Sequence, residues 1–507
     1  MRKKRLYSLL LAAAMLFSTI CPCSLEGFAA TVGDLNGSGR VDAGDAVYLL
    51  YHVMFPESFS VDQQVDFNSD GKRDLDDAIY LLYHANFPES YPLNKSSFKL
   101  SAGFARHVVN PPVGTGLGGY STATTRLSEE ILDDICLSCI AINDGEETVL
   151  LFNFDVLNIG RDSLWEPATK LIKQELNIPA KNVLMNASHT HSAPAVEWRY
   201  STVTSYLETL IPEVVAVAKE AIEDLAPAQM KMARTNTQDL GYVRRYLRYD
   251  GKWATSTSIA GGTALKGMLD PAVYYHESDP DTQMQILVFD RETDQDIALC
   301  NWQCHVTAVG SETGSQVSSD FVGVFRETVE KELGVHCAYF QGAAGSIVPS
   351  GKLKGEVQNH QDYVAHGRKL ANTMIGAMDD LTPIASGKIK ANYMLHAGTI
   401  KEEKVESYGK TYNLRLASYS FGDFSIAAVP LEMDHRNGMY VKTSSPYAMT
   451  FMCGYSNGSH GYLPAASSFP NGSYEVNSTR FVAGTGEAIA EDLLEMLQEL
   501  YSARSIS

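Results

Sequence analysis

The sequence Val183-Leu-Met-Asn-Ala-Ser-His-Thr-His-Ser-Ala-Pro194 joins an apolar run to a pair of histidines. The apolar start is typical of the end of a buried strand. Alternation along a strand would place His189 and His191 on one side of the chain and Thr190 on the other. Two imidazoles on one face, just before a proline that stops the ladder, predict half of a metal site. A chance pair of histidines is the alternative, and the rest of the chain must discriminate between the two.

The composition is that of a large globular protein. The chain has 507 residues, of which 45% are hydrophobic, so it is long enough for two or more domains with a sizeable core. Its formal net charge of −19 argues against nucleic acid and against anionic membrane surfaces as partners.

Residues 1–30 have the pattern of a secretory signal peptide. A basic head, Arg2-Lys-Lys-Arg5, precedes a short apolar run and a small-residue cleavage site near Ala29 or Ala30. No later run reaches the length of a membrane span, so we expect a secreted protein without a transmembrane segment.

Cys136 and Cys139 lie in an apolar run without a second such pair nearby, which indicates core positions or a local disulfide rather than a zinc knuckle.

Residues 34–57 and 66–89 form a duplicated unit. Asp34-Leu-Asn-Gly-Ser-Gly-Arg-Val-Asp-Ala-Gly-Asp45 matches Asp66-Phe-Asn-Ser-Asp-Gly-Lys-Arg-Asp-Leu-Asp-Asp77, and an apolar helix follows each copy. Oxygen-bearing residues at loop positions 1, 3, 5, 9 and 12, with glycine at position 6, are what a calcium loop requires, while position 7 offers a backbone carbonyl. The predicted ligands of two calcium ions are Asp34, Asn36, Ser38, Arg40, Asp42 and Asp45, then Asp66, Asn68, Asp70, Lys72, Asp74 and Asp77.

This duplicated unit resembles a type I dockerin, over residues 31–93. The resemblance implies a small all-α calcium-binding module that binds a cohesin domain of a scaffoldin and so places the protein in a cellulosome. The apolar face of each helix could be either core or cohesin contact; its residues are Tyr48, Leu49 and Tyr51 in the first copy and Tyr80, Leu81 and Tyr83 in the second. The family's specificity positions, Ala43-Gly44 and Leu75-Asp76, differ between the two copies. Residues 94–97 form a short polar linker to the rest of the chain.

Residues 98–507 alternate strand-like and helix-like runs. Apolar strands that alternate with amphipathic helices predict an α/β domain with layered, covered, mixed sheets. Polar groups follow several of the predicted strands, where a rigid sheet holds catalytic loops. The predicted strands are Ile135–Ile142, Val149–Asn153, Val183–Ala187, Met284–Phe289, Ile297–Gln303 and Phe424–Val429, and the predicted helices are Leu164–Leu176, Tyr206–Leu225, Asp320–Leu333, Tyr363–Met378 and Ala488–Tyr501.

Seven segments in order make this region similar to the catalytic domain of the neutral/alkaline ceramidases. The resemblance implies one zinc ion held by His189, His305, Glu432 and Tyr462, with His191, Arg244 and Tyr474 facing a scissile amide. Imidazoles and a carboxylate suit Zn²⁺, and a hydrolytic site leaves one position for water. The segments are Asn110–Tyr120, Ser188–Pro194, Arg244–Arg245, Asn301–His305, Gln341–Ser346, Val429–Glu432 and Gly461–Glu475.

Two positions depart from the family pattern, because Ser346 and Val348 stand where the family has an aspartate and a catalytic serine.

Three functions follow as hypotheses. The first is a secreted, cellulosome-docked zinc hydrolase of an N-acyl bond, acting on a lipid-like or other acylated substrate. The second is an acyl- or acetyl-ester hydrolase acting on plant-wall polysaccharide. The third is a non-catalytic binding module tethered by the dockerin. Asp320 is predicted to start a helix rather than to bind metal.

Overall fold

The computed structural model divides the chain into two compact units between residues 97 and 98. The predicted signal segment, 1–30, and the predicted linker, 94–97, lie outside the described residues. The structure describes residues 33–56, 58–61, 65, 67, 74–88, 91, 93, 100–120, 123–196, 200–255, 273–292, 295–309, 314–349 and 360–503.

The first unit contains two helices of equal length, Ala43–Met54 and Leu75–Asn86. An aspartate caps each helix, and the carboxylate of a second aspartate three residues later accepts from the backbone N–H of the first, which forms a capping box. Leu49 and Leu81 are fully buried in a shared apolar cluster, so the two repeats stabilise one small core.

The second unit is built around a mixed nine-stranded sheet. Two neighbouring pairs of strands run parallel, Thr148–Phe154 with Val183–Ala187 and Ile297–Trp302 with His336–Gln341, and the other pairs are antiparallel. In spatial order its strands are His336–Gln341, Ile297–Trp302, Gln283–Arg291, Ala226–Asn236, Leu100–Val108, Cys136–Asn143, Thr148–Phe154 and Val183–Ala187, while Thr382–Pro383 pairs with Ala226–Asn236.

A four-stranded sheet packs against this large sheet. Its strands, in order, are Ser386–Thr399, Thr411–Gly422, Phe424–Ala428 and Met449–Cys453. Alternate residues of the strand Cys136–Asn143 enter different cores: Ile140 lies in the core between the two sheets, whereas Cys139 packs on the helical side. Helices cover the outer face of both sheets, so the unit has four layers in the order helix, sheet, sheet, helix. The α/β prediction with a mixed, covered sheet is confirmed.

The described helices lie outside the paired sheets. On the large sheet these are Glu166–Leu176, Thr204–Glu223, Asp320–Leu333 and His360–Ile375, and on the smaller sheet His435–Ser444 and Thr485–Ser502. Short helices span Val405–Tyr408 and Tyr474–Ser478, with a π-helical turn at Arg161–Trp165 and 3₁₀ turns at Ala180–Asn182, Ser201–Val203, Met378–Asp380, Glu402–Lys404 and Ala466–Asn471. None of the helices that the structure describes is long and apolar enough to cross a membrane.

Short strand pairs connect the loops at one end of the sheets. They are Glu130–Ile131 with Gln316–Val317, Asn158–Ile159 with Ala195–Val196, Gly241–Val243 with Ile347–Pro349, and Glu432–Met433 with Tyr462–Leu463. A three-stranded sheet contains Trp253–Thr255, Arg245–Arg248 and Val273–His276.

The helix Asp320–Leu333 begins at the predicted residue, and Cys136 and Cys139 are free, buried core residues.

The predicted reason why His189 and His191 would face the same side of the chain is wrong. The strand ends at Ala187, and His189 has a φ of +67°, so strand alternation does not orient His189 and His191.

Candidate metal centre

The site lies where parallel strands of both sheets end. A buried amide network joins these ends, because Gln341 donates its backbone N–H to Asn186 Oδ1 at 2.8 Å and Asn186 Nδ2 donates to the Gly454 carbonyl at 2.7 Å. Asn301 joins the same two sheets by donating to the Met452 carbonyl at 3.2 Å. The loops that follow these strands are therefore held over a rigid seam, and they carry the candidate side chains.

His189 leaves its strand through a left-handed turn that directs its ring into the site. Its backbone N–H donates to the Val156 carbonyl at 3.1 Å, and its Nδ1 lies 2.7 Å from the Leu157 carbonyl. A carbonyl can only accept, so Nδ1 carries a proton and a neutral ring keeps a lone pair on Nε2. The Nε2 of His191 lies 3.2 Å from the Nε2 of His189.

His305 is fully buried and has the same tautomer. Its Nδ1 donates to the Ala344 carbonyl at 2.7 Å, and its backbone N–H donates to the Ile347 carbonyl at 2.9 Å. Burial, and after it the positive charge of Arg244, lower the pKa of His305 to about 4. The ring is therefore neutral at pH 7 and presents a second Nε2 lone pair.

Glu432 and Tyr462 face these imidazoles from a two-residue parallel strand pair. Glu432 Oε2 lies 3.4 Å from His189 Nε2 and 3.2 Å from His305 Nε2, and Tyr462 Oη lies 3.4 Å from His305 Nε2. Burial would raise the pKa of Glu432, whereas hydrogen bonds and charge from the two imidazoles would hold it well below its ordinary value. Because both rings present Nε2 lone pairs when neutral, a cation bound among these atoms would take over that role and keep the carboxylate ionised.

These donors fit a metal ion. When His189 and His305 are neutral, the lone pairs of their Nε2 atoms face the carboxylate oxygen of Glu432, and no proton lies between them. Glu432 Oε2 is buried without a hydrogen-bond partner. Tetrahedral zinc with bonds of 2.0–2.1 Å separates its ligands by about 3.3 Å, and the separations here are 3.2–3.4 Å. Ring nitrogens of His189, His191 and His305 also lie within 4.8 Å of one another. The residues therefore suit zinc.

Arg244 lies under the phenol ring of Tyr462. Its guanidinium carbon is 5.0 Å from the centre of that ring, its Nε is 2.6 Å from Glu475 Oε1, and an Nη donates to the Gly345 carbonyl. Burial raises the pKa of Tyr462 well above its ordinary value, while the Arg244 cation opposes that rise. The guanidinium thus favours negative charge on the phenol oxygen and on any group bound beside it.

Tyr474 lies at the open side of the same cluster. Its ring is 5.4 Å from the Tyr462 ring and its side chain is exposed, whereas the next residue, Glu475, is buried. All seven predicted site residues are therefore close together, with six of them buried or half-buried and Tyr474 at the rim.

Ser346 and Val348 have structural contacts at this end of the sheets. Ser346 Oγ is 2.7 Å from His435 Nδ1, and His435 Nε2 donates to the Asp279 carbonyl at 3.0 Å, so Ser346 is hydrogen-bonded to the ring. Val348 is buried in a strand pair with Tyr242. His435 and the role of Glu475 were not predicted from the sequence, because both residues act through contacts with residues distant along the chain. Arg245, which bonds Glu475 Oε2 at 3.0 Å, and Glu475 itself both lie in segments of the resemblance, and this was the available signal for their pairing.

The first predicted calcium loop is compact. Asp34 Oδ1 and Asn36 Oδ1 both accept from the Ser38 N–H at 2.9 Å, and the buried Asp45 accepts from three backbone N–H groups. Burial raises the pKa of Asp45, so a nearby cation would stabilise its ionised form. In the second loop Asp74 and Asp77 repeat the capping geometry of Asp42 and Asp45. Asp66, Asn68, Asp70 and Lys72 lie outside the described residues.

The second unit is similar in fold to ceramidases. A neutral ceramidase from Pseudomonas aeruginosa superposes with a TM-score of 0.67 at 15% identity, over 80% of this chain and 75% of that one. A structure described as a ceramidase complexed with C2 gives a TM-score of 0.66 at 14% identity, over 81% and 76%. No protein-family model and no curated protein matches the sequence. At this identity the likeness shows the fold alone.

Proposed function

We propose that this protein is a zinc-dependent amidohydrolase that cleaves an N-acyl bond. The observation that carries the proposal is that Glu432 Oε2 lies 3.4 Å from His189 Nε2 and 3.2 Å from His305 Nε2, so that three potential metal donors converge. The fold similarity to ceramidases supports an amide rather than another acyl bond. His189, His305, Glu432 and Tyr462 would hold the zinc ion.

Bound zinc would lower the pKa of a coordinated water to about 7 and so supply hydroxide at neutral pH. The protein's own residues do the rest. His191 borders the donors and takes the proton from the attacking water. Tyr474 at the rim donates to the carbonyl oxygen as its negative charge develops, and Arg244 stabilises that charge from below Tyr462. His191 then returns the proton to the nitrogen as the C–N bond breaks.

The N-terminal unit supports a second proposal, that the enzyme is secreted and docked into a cellulosome through a calcium-loaded dockerin. Two helices with matching capping boxes, each preceded by an acidic loop, favour a duplicated calcium-binding module. Cohesin binding is tested by titrating a panel of type I cohesins against the full chain, with and without calcium.

Incubation of the full chain with substrate classes tests the enzyme proposal. N-acyl-sphingoid, N-acyl-amino-acid and acetylated-xylan substrates would be compared with and without chelator, beside Glu432→Ala. Chelator-sensitive, Glu432-dependent release from an amide substrate is the expected result. Release from acetylated xylan alone would point to the ester hydrolase. Bound zinc without turnover of any substrate would point to the binding module.

A further inference from the structure

A small cavity opens beside the candidate zinc ligands. It has a volume of about 220 Å³, and its lining includes His189, Glu432, Asn158, Ser459 and Arg480. The lining thus combines two of the candidate zinc ligands with polar side chains and a cation. Sites for drug-sized ligands occupy about 300–1,000 Å³, so this cavity suits a small polar group next to the scissile bond rather than a long chain.

Arg480 is held in place but its charge is not neutralised by the protein. Its guanidinium carbon lies 4.3 Å from the centre of the Tyr408 ring and 5.2 Å from that of Tyr412. Among the residues that the structure describes, no carboxylate forms an ion pair with it. Arg161, a nearby cation, is paired with Glu166 at 2.9 Å and so has its own counter-ion.

Glu432 does not balance this cation either. A zinc ion held by Glu432 and the neutral imidazoles would compensate the charge of this carboxylate, so the Arg480 cation in the cavity lining would stay unbalanced. A half-buried guanidinium with free N–H groups is the donor set that carboxylates bind most strongly, in a bidentate arrangement.

We infer that this cavity binds a carboxylate of the substrate, so that the enzyme prefers amides with a carboxylate close to the scissile bond, as in N-acyl amino acids. The inference rests on the proposed function and names its substrate class. Arg480 is the specificity residue in this account: it pairs with the carboxylate while the scissile carbonyl lies against Glu432 and His189.

Matched acid and neutral substrates test the inference. N-acetyl-leucine would be compared with N-acetyl-leucinamide, and N-succinyl-anilide with N-butanoyl-anilide, which place the carboxylate on the amine side and the acyl side respectively. Each pair would be assayed with the full chain, Arg480→Lys and Arg480→Met. Arg415→Met is the control, because Arg415 also lies over aromatic rings, 4.7 Å from Trp165 and 3.9 Å from Tyr393.

The acid of at least one pair should have a kcat/KM about 10- to 100-fold above its neutral partner, as expected for a hydrogen-bonded charge pair. Arg480→Met should abolish this preference with zinc content unchanged, Arg480→Lys should keep part of it, and Arg415→Met should keep all of it. Equal rates for acid and neutral substrates, or a preference that survives Arg480→Met, would overturn the inference and leave the hydrolase proposal standing.

Titration calorimetry with the same pairs separates the two proposals if nothing is hydrolysed. Arg480-dependent binding of the acid without turnover would contradict the hydrolase proposal and support the carboxylate site. Equal binding of acid and neutral compounds would contradict the carboxylate site.

Discussion

His305 Nε2 lies 3.2 Å from Glu432 Oε2, although the two residues follow strands of different sheets. His305 comes after Ile297–Trp302 of the large sheet, and Glu432 comes after Phe424–Ala428 of the smaller one. The donor set therefore exists only when the two sheets are packed together. Metal binding should in turn stabilise their packing, because a ligand that binds only the folded state shifts the folding equilibrium.

The variant His191→Ala distinguishes whether His191 is a catalytic base or a metal ligand. His189, His305, Glu432 and Tyr462 remain, so the variant should keep one zinc per chain and lose turnover by about 10²- to 10⁴-fold. Elemental analysis with steady-state kinetics checks both values. The matched control is His396→Ala, whose ring bonds Asp492 at 2.6 Å outside the site. Loss of zinc from His191→Ala would make His191 a ligand instead of the base.

Glu475→Gln should destabilise the fold. The carboxylate is 2.6 Å from Arg244 and 3.0 Å from Arg245, and all three side chains are buried. Removing one partner of a buried ion pair typically costs about 3–5 kcal/mol of unfolding free energy, because a charge is left uncompensated. Urea unfolding checks this value. Glu175→Gln breaks an exposed pair with Lys219 and should cost less than about 1 kcal/mol; equal losses in the two variants would contradict the account.

His366 should make stability depend on pH. Its ring is buried against Phe321, and burial, with Lys369 adding, lowers its pKa to about 4. The unfolded chain takes up this proton near pH 6.5 and the folded one only near pH 4, so folding stability falls as the pH drops through that window. The loss at pH 5 should be about 2 kcal/mol for this residue. His366→Phe should reduce the difference in unfolding free energy between pH 7 and pH 5; an unchanged difference would disprove the assignment.

The calcium loops predict two bound ions per chain. Calorimetric titration of the wild-type protein should find two sites, and Asp34→Ala combined with Asp45→Ala should leave one, since the second loop keeps its own ligands. Asp162→Ala removes an exposed carboxylate outside the loops and should leave both sites. A wild-type chain that binds no calcium would exclude the dockerin.

Continuous apolar runs explain what the sequence predicts well. The strand Val183–Ala187 and the helix Asp320–Leu333 have the predicted bounds. The strand is buried on both faces and the helix along one stripe, and each kind of burial leaves a recognisable pattern of hydrophobic residues in the sequence. The long strands Ser386–Thr399 and Thr411–Gly422 were not predicted, because much of the first is exposed and polar at alternate positions.

The structure brings the predicted site residues close together, but their geometry could not be predicted from the sequence. The left-handed backbone at His189 and the Leu157 carbonyl that fixes its tautomer depend on tertiary contacts. Arg480 also has no sequence signal, since it shares a cavity lining with Glu432 only through the packing of separate loops.

Anomalous diffraction at the zinc edge, from a crystal of the full chain grown with zinc, tests the metal centre most directly. We predict one strong peak about 2.0–2.2 Å from His189 Nε2, His305 Nε2 and a carboxylate oxygen of Glu432, and none in the same place for Glu432→Gln. A wild-type map without a peak between these three side chains would contradict the account.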